Sequence, residues 1–264
     1  MKKERKNRSP KFRQAMGSIY AFLDYVFRIV MLNLLIVVPA LLPFLIYSYI
    51  AQSKENVENW IGFLTLLPAA IYMFPAIVAT TEVFKLYEEN ATKGVFKEFF
   101  KALFRNFFKS LLISIVLFLI LFILLADFKF NNFQFLGVLL YFINNLTDIY
   151  SLFGLAITIS FLMIGLFVLC HMPLILVYFD GISLWQQFKL AFIMAFRKIG
   201  LTIIMALIVL GFAFVCIFLN LQIVIFIFGI SLPIFLIVKI TFKEYIKIYR
   251  KVENKENEKN DKII

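Results

Sequence analysis

Residues Phe96–Ala126 read FKEFFKALFRNFFKSLLISIVLFLILFILLA. The stretch passes from one kind of surface to another. In its first half Phe96, Phe99, Phe100, Leu103, Phe104, Phe107 and Phe108 recur at steps of three and one, the stripe of a helix. Lys97, Lys101, Arg105 and Lys109 recur every four residues beside it. Thr92 is the expected N-cap, and Gly94 loosens the entry. From Ser110 to Ala126 there is no charge at all. This order predicts an amphipathic helix in a membrane interface, its apolar face in lipid and its cations toward anionic headgroups. A membrane-crossing segment then follows. A span needs about 20 mainly apolar residues, so the crossing starts near Phe107 and borrows a turn from the lead.

The same reading extends along the chain. Further apolar runs lie at Ile29–Ile50, Ile61–Phe84, Tyr150–Phe179, Leu201–Leu219 and Ile223–Ile240, making six with Phe107–Ala126. The fourth is long for an upright span and is expected to tilt, or to bend near Pro173. The last two are nearly fused, with Asn220 and Gln222 between them, and read as a tight helical hairpin. The fold class is therefore all-α: a polytopic membrane protein of about six spans, with amphipathic helices preceding hairpins. Residues 1–252 form one membrane domain. The tail 253–264 is nearly all Glu, Lys and Asn and is expected to be disordered. The first run starts after a long basic lead, exceeds a signal h-region and lacks a small-residue cleavage pattern, so it is expected to stay as an anchor.

Composition agrees. The chain is 62% apolar and 16% charged, against roughly a half and about a quarter in soluble domains. If each run crosses once, 25 of the 27 Lys and Arg fall on one side, leaving only Lys54 and Lys129 opposite. That asymmetry assigns both termini, and the connections carrying Lys85–Lys109 and Lys189–Lys198, to the cytoplasm of a cell-membrane protein. It also accounts for the net charge of +11 without nucleic acid, since the cations track the ends of the apolar runs.

A shift of 89 residues aligns Phe96 with Trp185, Phe99 with Phe188, Ala102 with Ala191, Phe107 with Phe196 and Lys109 with Lys198. Ile19–Arg28 is a weaker lead before the first span. Three units are expected, each a lead helix and a hairpin. The outer loop Asp127–Asp148 is Phe- and Asn-rich, with an apolar centre fit for an interfacial or re-entrant segment. It carries a sequon pattern at Asn145-Leu146-Thr147.

Chemistry-bearing residues are few. His171 is the single histidine and neighbours Cys170. Adjacent helix positions diverge by about 100°, and no second Cys-His set completes a metal site, so a hydrogen-bonded packing histidine is expected. Both cysteines lie in apolar runs, away from the exposed loops of a disulfide framework. Phosphate-binding Gly loops, paired intramembrane carboxylates and metalloprotease motifs are absent from the sequence. The expectation is no catalytic residue, no metal and no cofactor. The remaining candidate is a polar cluster between the first two spans at their cytoplasmic ends. It comprises Asp24 and Arg28, four apart, with Asn33, Glu82 and Lys85.

Leu23-Asp24-Tyr25-Val26-Phe27-Arg28 with Leu32-Asn33-Leu34-Leu35 resembles the YesL-like family of bacterial integral membrane proteins. So do Phe74-Pro75-Ala76 with Ala79, running through Lys85 into Phe96–Lys109, and Met172-Pro173-Leu174 with Trp185–Lys198. The chain departs from that pattern at Ile36, where an aromatic is common, and at Lys85, where Arg is usual. The resemblance implies no established reaction. It implies an accessory or assembly role beside transport-system subunits, with carbohydrate uptake the natural setting. A permease in its own right is the alternative. Against it, neither basic connection carries a Glu-Ala-Ala…Gly coupling pattern, and no span carries a carboxylate near its middle.

Overall fold

The computed structural model describes residues 10–53, 59–91, 94–130, 165–166, 168–219 and 222–260. Among them all regular structure is helical. The helices are α1 Pro10–Ser53, α2 Asn59–Glu88, α3 Val95–Phe130, α4 Val168–Tyr178, α5 Leu184–Arg197, α6 Ile199–Phe218, α7 Gln222–Phe228 and α8 Ser231–Asn260.

α2 is the hub. It packs along α3 and against α1 and α8. Its inward side offers Ala76, Ala79 and Thr80, all fully buried, and small residues let neighbouring backbones come close. Three helices among the described residues are long and apolar enough to cross a membrane: Phe22–Pro43, Leu67–Glu88 and Ile199–Phe218. Within them 65% of the α2 window is buried, against 28% for α1 and 22% for α6. Hence α2 is central, while α1 and α6 turn most of their apolar surface outward. Ile203, Leu207, Leu210 and Phe214 of α6 are all exposed. A surface of that kind has no place in water and fits the hydrocarbon of a bilayer.

Several boundaries depart from the sequence reading. The lead Phe96–Lys109 and the run after it are one uninterrupted helix, α3, because neither Pro nor Gly lies within it. Likewise α1 carries its lead and span together, with Pro39 and Pro43 inside the helix. Only the third unit is cut. There Lys198 leaves helical geometry at φ −116° and ψ 43°, between α5 and α6. Thr202 Oγ1 covers the break by donating to Ala195 O at 2.9 Å or Lys198 O at 3.1 Å. A separate lead helix before each hairpin is thus corrected to a single case. The sixth run is also divided, at Gly229–Ile230, into α7 and α8. α8 continues to Asn260, so the tail expected to be disordered from Glu253 begins as helix. Glu and Lys are good helix formers, and α8 is already nucleated upstream.

α3 also runs four residues past Ala126, into the expected outer loop. The rest of that loop, its sequon, Thr92 and most of the fourth run lie outside the described residues. α4 is helical on both sides of Pro173. α2 ends at Glu88 and turns at Asn90, whose φ of 55° is a left-handed conformation that Asn tolerates. Ala91 N donates to Leu86 O there, closing the helix before the short passage to α3.

Candidate functional site

The five residues of the expected polar cluster do not share one site. Asp24 stays with Arg28, while Glu82, Lys85 and Asn33 each reach a different element, and the separations follow from which helices pack together.

Asp24 and Arg28 do pair. Arg28 Nε donates to Asp24 Oδ2 at 2.8 Å, one turn apart on α1. The guanidinium lies 4.5 Å from the Tyr87 ring centre, and Tyr87 OH donates to Asp24 Oδ2 at 3.4 Å. Tyr25 meets Tyr87 edge-on at 4.7 Å, and Lys239 of α8 sits 5.6 Å from the Tyr25 ring. Three helices therefore join through aromatic rings and cations. Arg28 and Asp24 side chains are 19% and 45% exposed, so water reaches the pair and tempers its strength.

Glu82 faces the other way. It was expected in one cluster with Arg28; instead Arg105 Nη2 meets Glu82 Oε1 at 2.7 Å, and Asn106 Nδ2 donates to Oε2 at 2.8 Å. The physical reason is that α2 closes in a turn at Glu89–Asn90 and the start of α3 packs directly beside its end. Glu82 is nearly buried, so its charge depends on Arg105 and Asn106.

Lys85 reaches a third element. Its Nζ donates to Val177 O at 3.3 Å and sits 4.6 Å from the Tyr178 ring of α4. Lys109 of α3 donates to Asp180 O and, at 3.4 Å, to Ile182 O. Gln187, fully buried on α5, donates to Phe179 O at 2.6 Å. Cations and an amide from α2, α3 and α5 thus hold the carbonyl-rich turn after α4. Of the four cations expected to face lipid headgroups, Arg105 and Lys109 are taken up by the protein itself. Lys97 and Lys101 are exposed. The aromatic stripe divides as well. Phe99 and Leu103 are buried with Ala102, whereas Phe96, Phe100, Phe104 and Phe108 are exposed.

Asn33 serves the break in the sixth run. Its Oδ1 accepts from Ile230 N at 2.9 Å and Ser231 N at 3.1 Å, and its Nδ2 donates to Phe226 O at 2.6 Å. Ser231 Oγ returns a bond to Ile29 O at 2.7 Å. One side chain on α1 therefore satisfies the end of α7 and the start of α8, groups that a broken helix leaves bare.

His171 is a packed histidine with both ring nitrogens engaged. Nε2 lies 2.8 Å from Thr202 Oγ1 and Nδ1 meets Tyr245 OH. All three residues are fully buried. Thr202 donates its one proton to a backbone carbonyl, so it accepts from Nε2–H. Nδ1 is then left to accept from Tyr245. Burial keeps the Tyr245 phenol well above the ordinary tyrosine range, so it stays a proton donor. The sequence signal for His171 was its isolation in an apolar run; nothing in the pattern pointed to Thr202 or Tyr245.

The described residues also enclose an open cleft of about 500 Å³ between α2, α4, α6 and the α7–α8 break. Its walls include Met73, Leu169, Pro173, Phe212, Pro233 and Ile237. The hydroxyl it could offer, Thr81 Oγ1, already donates to Ile77 O at 2.8 Å. Among the described residues no group of three or more His, Cys, Asp or Glu could hold a metal ion.

Residues 56–128, about a quarter of the chain, match the family described as "Protein of unknown function, DUF624". No curated protein matches the chain, and no solved structure does.

Proposed function

We propose that this chain is a YesL-like cell-membrane protein of six spans with both termini in the cytoplasm. It acts without catalysis, as an accessory or assembly component of a membrane transport system, carbohydrate uptake being the setting that the resemblance suggests. The matched stretch 56–128 contains Phe74-Pro75-Ala76 and Phe96–Lys109, two pieces on which that resemblance rests. The charge asymmetry of the spans supports the orientation.

One observation carries the choice of an accessory role over a carrier. Asn33, Glu82, Asn106 and His171 are engaged in holding helices together, and the cleft between the helices is apolar. A sugar carrier needs unspent donors and acceptors along its path, because each substrate hydroxyl left unpaired is costly. The residues around this cleft suit structural support and contact with apolar groups.

The test is a pair of measurements. Deleting the gene should lower uptake of at least one carbohydrate, with recovery from a plasmid copy. The purified protein in liposomes should pass none of that carbohydrate. Flux through the purified protein would replace this reading with a permease.

A further inference from the structure

We propose that α5, with the start of α6, is a seat for anionic phospholipid headgroups at the cytoplasmic surface. This rests on the membrane reading above and names the lipid partner at one place on the fold.

The outer face of these helices is unusual. Trp185, Phe188, Phe192, Phe196, Ile199 and Ile203 are 77%, 44%, 45%, 44%, 51% and 44% exposed. Trp185, Phe188, Phe192 and Phe196 recur at steps of three and four and form one stripe on α5, and Ile199 and Ile203 keep an exposed apolar side at the start of α6. The opposite stripe is fully or nearly buried: Gln187, Ala191, Met194, Ala195, Thr202 and Met205. The helix is fixed by its inner face, including Gln187 on Phe179 O, and by a capping box in which Ser183 and Gln186 satisfy each other's backbone N–H groups. The aromatic side is therefore held outward by the packing. Its rings also support one another, Trp185 stacked on Phe188 and Phe192 against Phe196 at 4.8 Å.

Two features select lipid as the occupant. The stripe is continuous with the exposed apolar face of α6, a helix long and apolar enough to cross the bilayer. And the charge on this face has one sign. No Asp or Glu occurs between Asp180 and Glu244. Lys198 is paired with Glu244 at 2.9 Å. Lys189 and Arg197 are exposed and make no ion pair among the described residues. A face of aromatic side chains with an interfacial Trp and unpaired cations matches acyl chains below and anionic phosphate above.

Trp185 supplies the readout, being one of two tryptophans. With Trp60→Phe in place, the protein is reconstituted in mixed vesicles in which either phosphatidylglycerol or phosphatidylcholine carries brominated acyl chains. Trp185 emission should be quenched by both, with phosphatidylglycerol favoured by up to about fivefold for each cation. Lys189→Gln with Arg197→Gln should abolish the preference and leave the quenching. Lys189→Arg with Arg197→Lys should keep both. Equal quenching by the two lipids in the parent protein overturns the proposal. A second reporter, Phe214→Trp in a background lacking both native tryptophans, tests α6 by itself. If it is quenched while Trp185 is not, α5 is covered by protein or water and only the present proposal fails. If neither is quenched, the membrane reading fails.

Discussion

Asn33→Ala should be the costliest single polar deletion in this protein. The side chain is fully buried and makes three hydrogen bonds to backbone groups at the α7–α8 break: to Phe226 O, Ile230 N and Ser231 N. Those partners lie where the helix ladder is interrupted, so no intrahelical bond replaces the lost ones. Side-chain hydrogen bonds inside membrane proteins average about 0.6 kcal/mol and reach about 1.7, which puts three of them at about 2–5 kcal/mol. The upper part of that range applies here, because each stranded group is backbone and cannot turn to water. Asn33→Asp is the informative companion. Protonated, it can still donate to Phe226 O and accept from the two amides; ionised, it faces that carbonyl with no proton to give. Only the protonated carboxyl reproduces the native hydrogen bonds, so the variant's stability should be greatest at low pH and fall as pH rises. The assay is resistance to denaturation in mild detergent, followed by size-exclusion retention across temperature and pH. An Asn33→Ala protein within about 0.5 kcal/mol of the parent, the ordinary range of surface changes, would refute the reasoning.

Arg105→Ala should cost more than Glu82→Gln, about 2–3 against about 1 kcal/mol, because the first strands a nearly buried carboxylate while the second leaves Arg105, half exposed, free to reach water. The double variant should recover part of the loss, and equal single costs would contradict the asymmetry. Arg28→Lys should keep part of the bond to Asp24 and lose the stacking on Tyr87, so membrane levels of Arg28→Lys should fall between those of the parent and Arg28→Ala. Tyr245→Phe should cost about 1–3 kcal/mol by leaving His171 Nδ1 without its donor. Tyr245 is raised in the folded protein, so the stability it adds is complete below about pH 10, its unfolded value, and is lost as pH climbs toward the folded one. The parent's advantage over Tyr245→Phe should shrink there, and a gap that widens at alkaline pH would oppose the assigned proton direction.

The helices were legible because their residues repeat in the helical period and lie in long apolar runs. The breaks were missed. Ile223–Ile240 was read as one apolar run, although Gly229, Ser231 and Pro233 break its apolar pattern just where the helix divides, at Gly229–Ile230. Asn33 stood out as the lone amide of its run, yet its partners lie nearly 200 residues away, a distance set by packing alone. Glu82 was grouped with Arg28, whereas its partners are Arg105 and Asn106 of α3. Its height along α2 follows from sequence, but its azimuth toward α3 depends on how α2 and α3 pack together. The same holds for α3. Its lead is a helix with a cationic side, as the period required, but only packing decides that Phe99 and Leu103 go inward while Phe104 and Phe108 stay out.

Membrane topology tests the central claim most directly. In a background of Cys170→Ala and Cys216→Ala, single cysteines are introduced at Ser9, Glu55, Asn131 and Glu256 and exposed to an impermeant thiol reagent. Six spans with both termini inside predict labelling at Glu55 and Asn131 in intact cells, and at Ser9 and Glu256 only after permeabilisation. Labelling of the Glu256 site in intact cells would contradict the account.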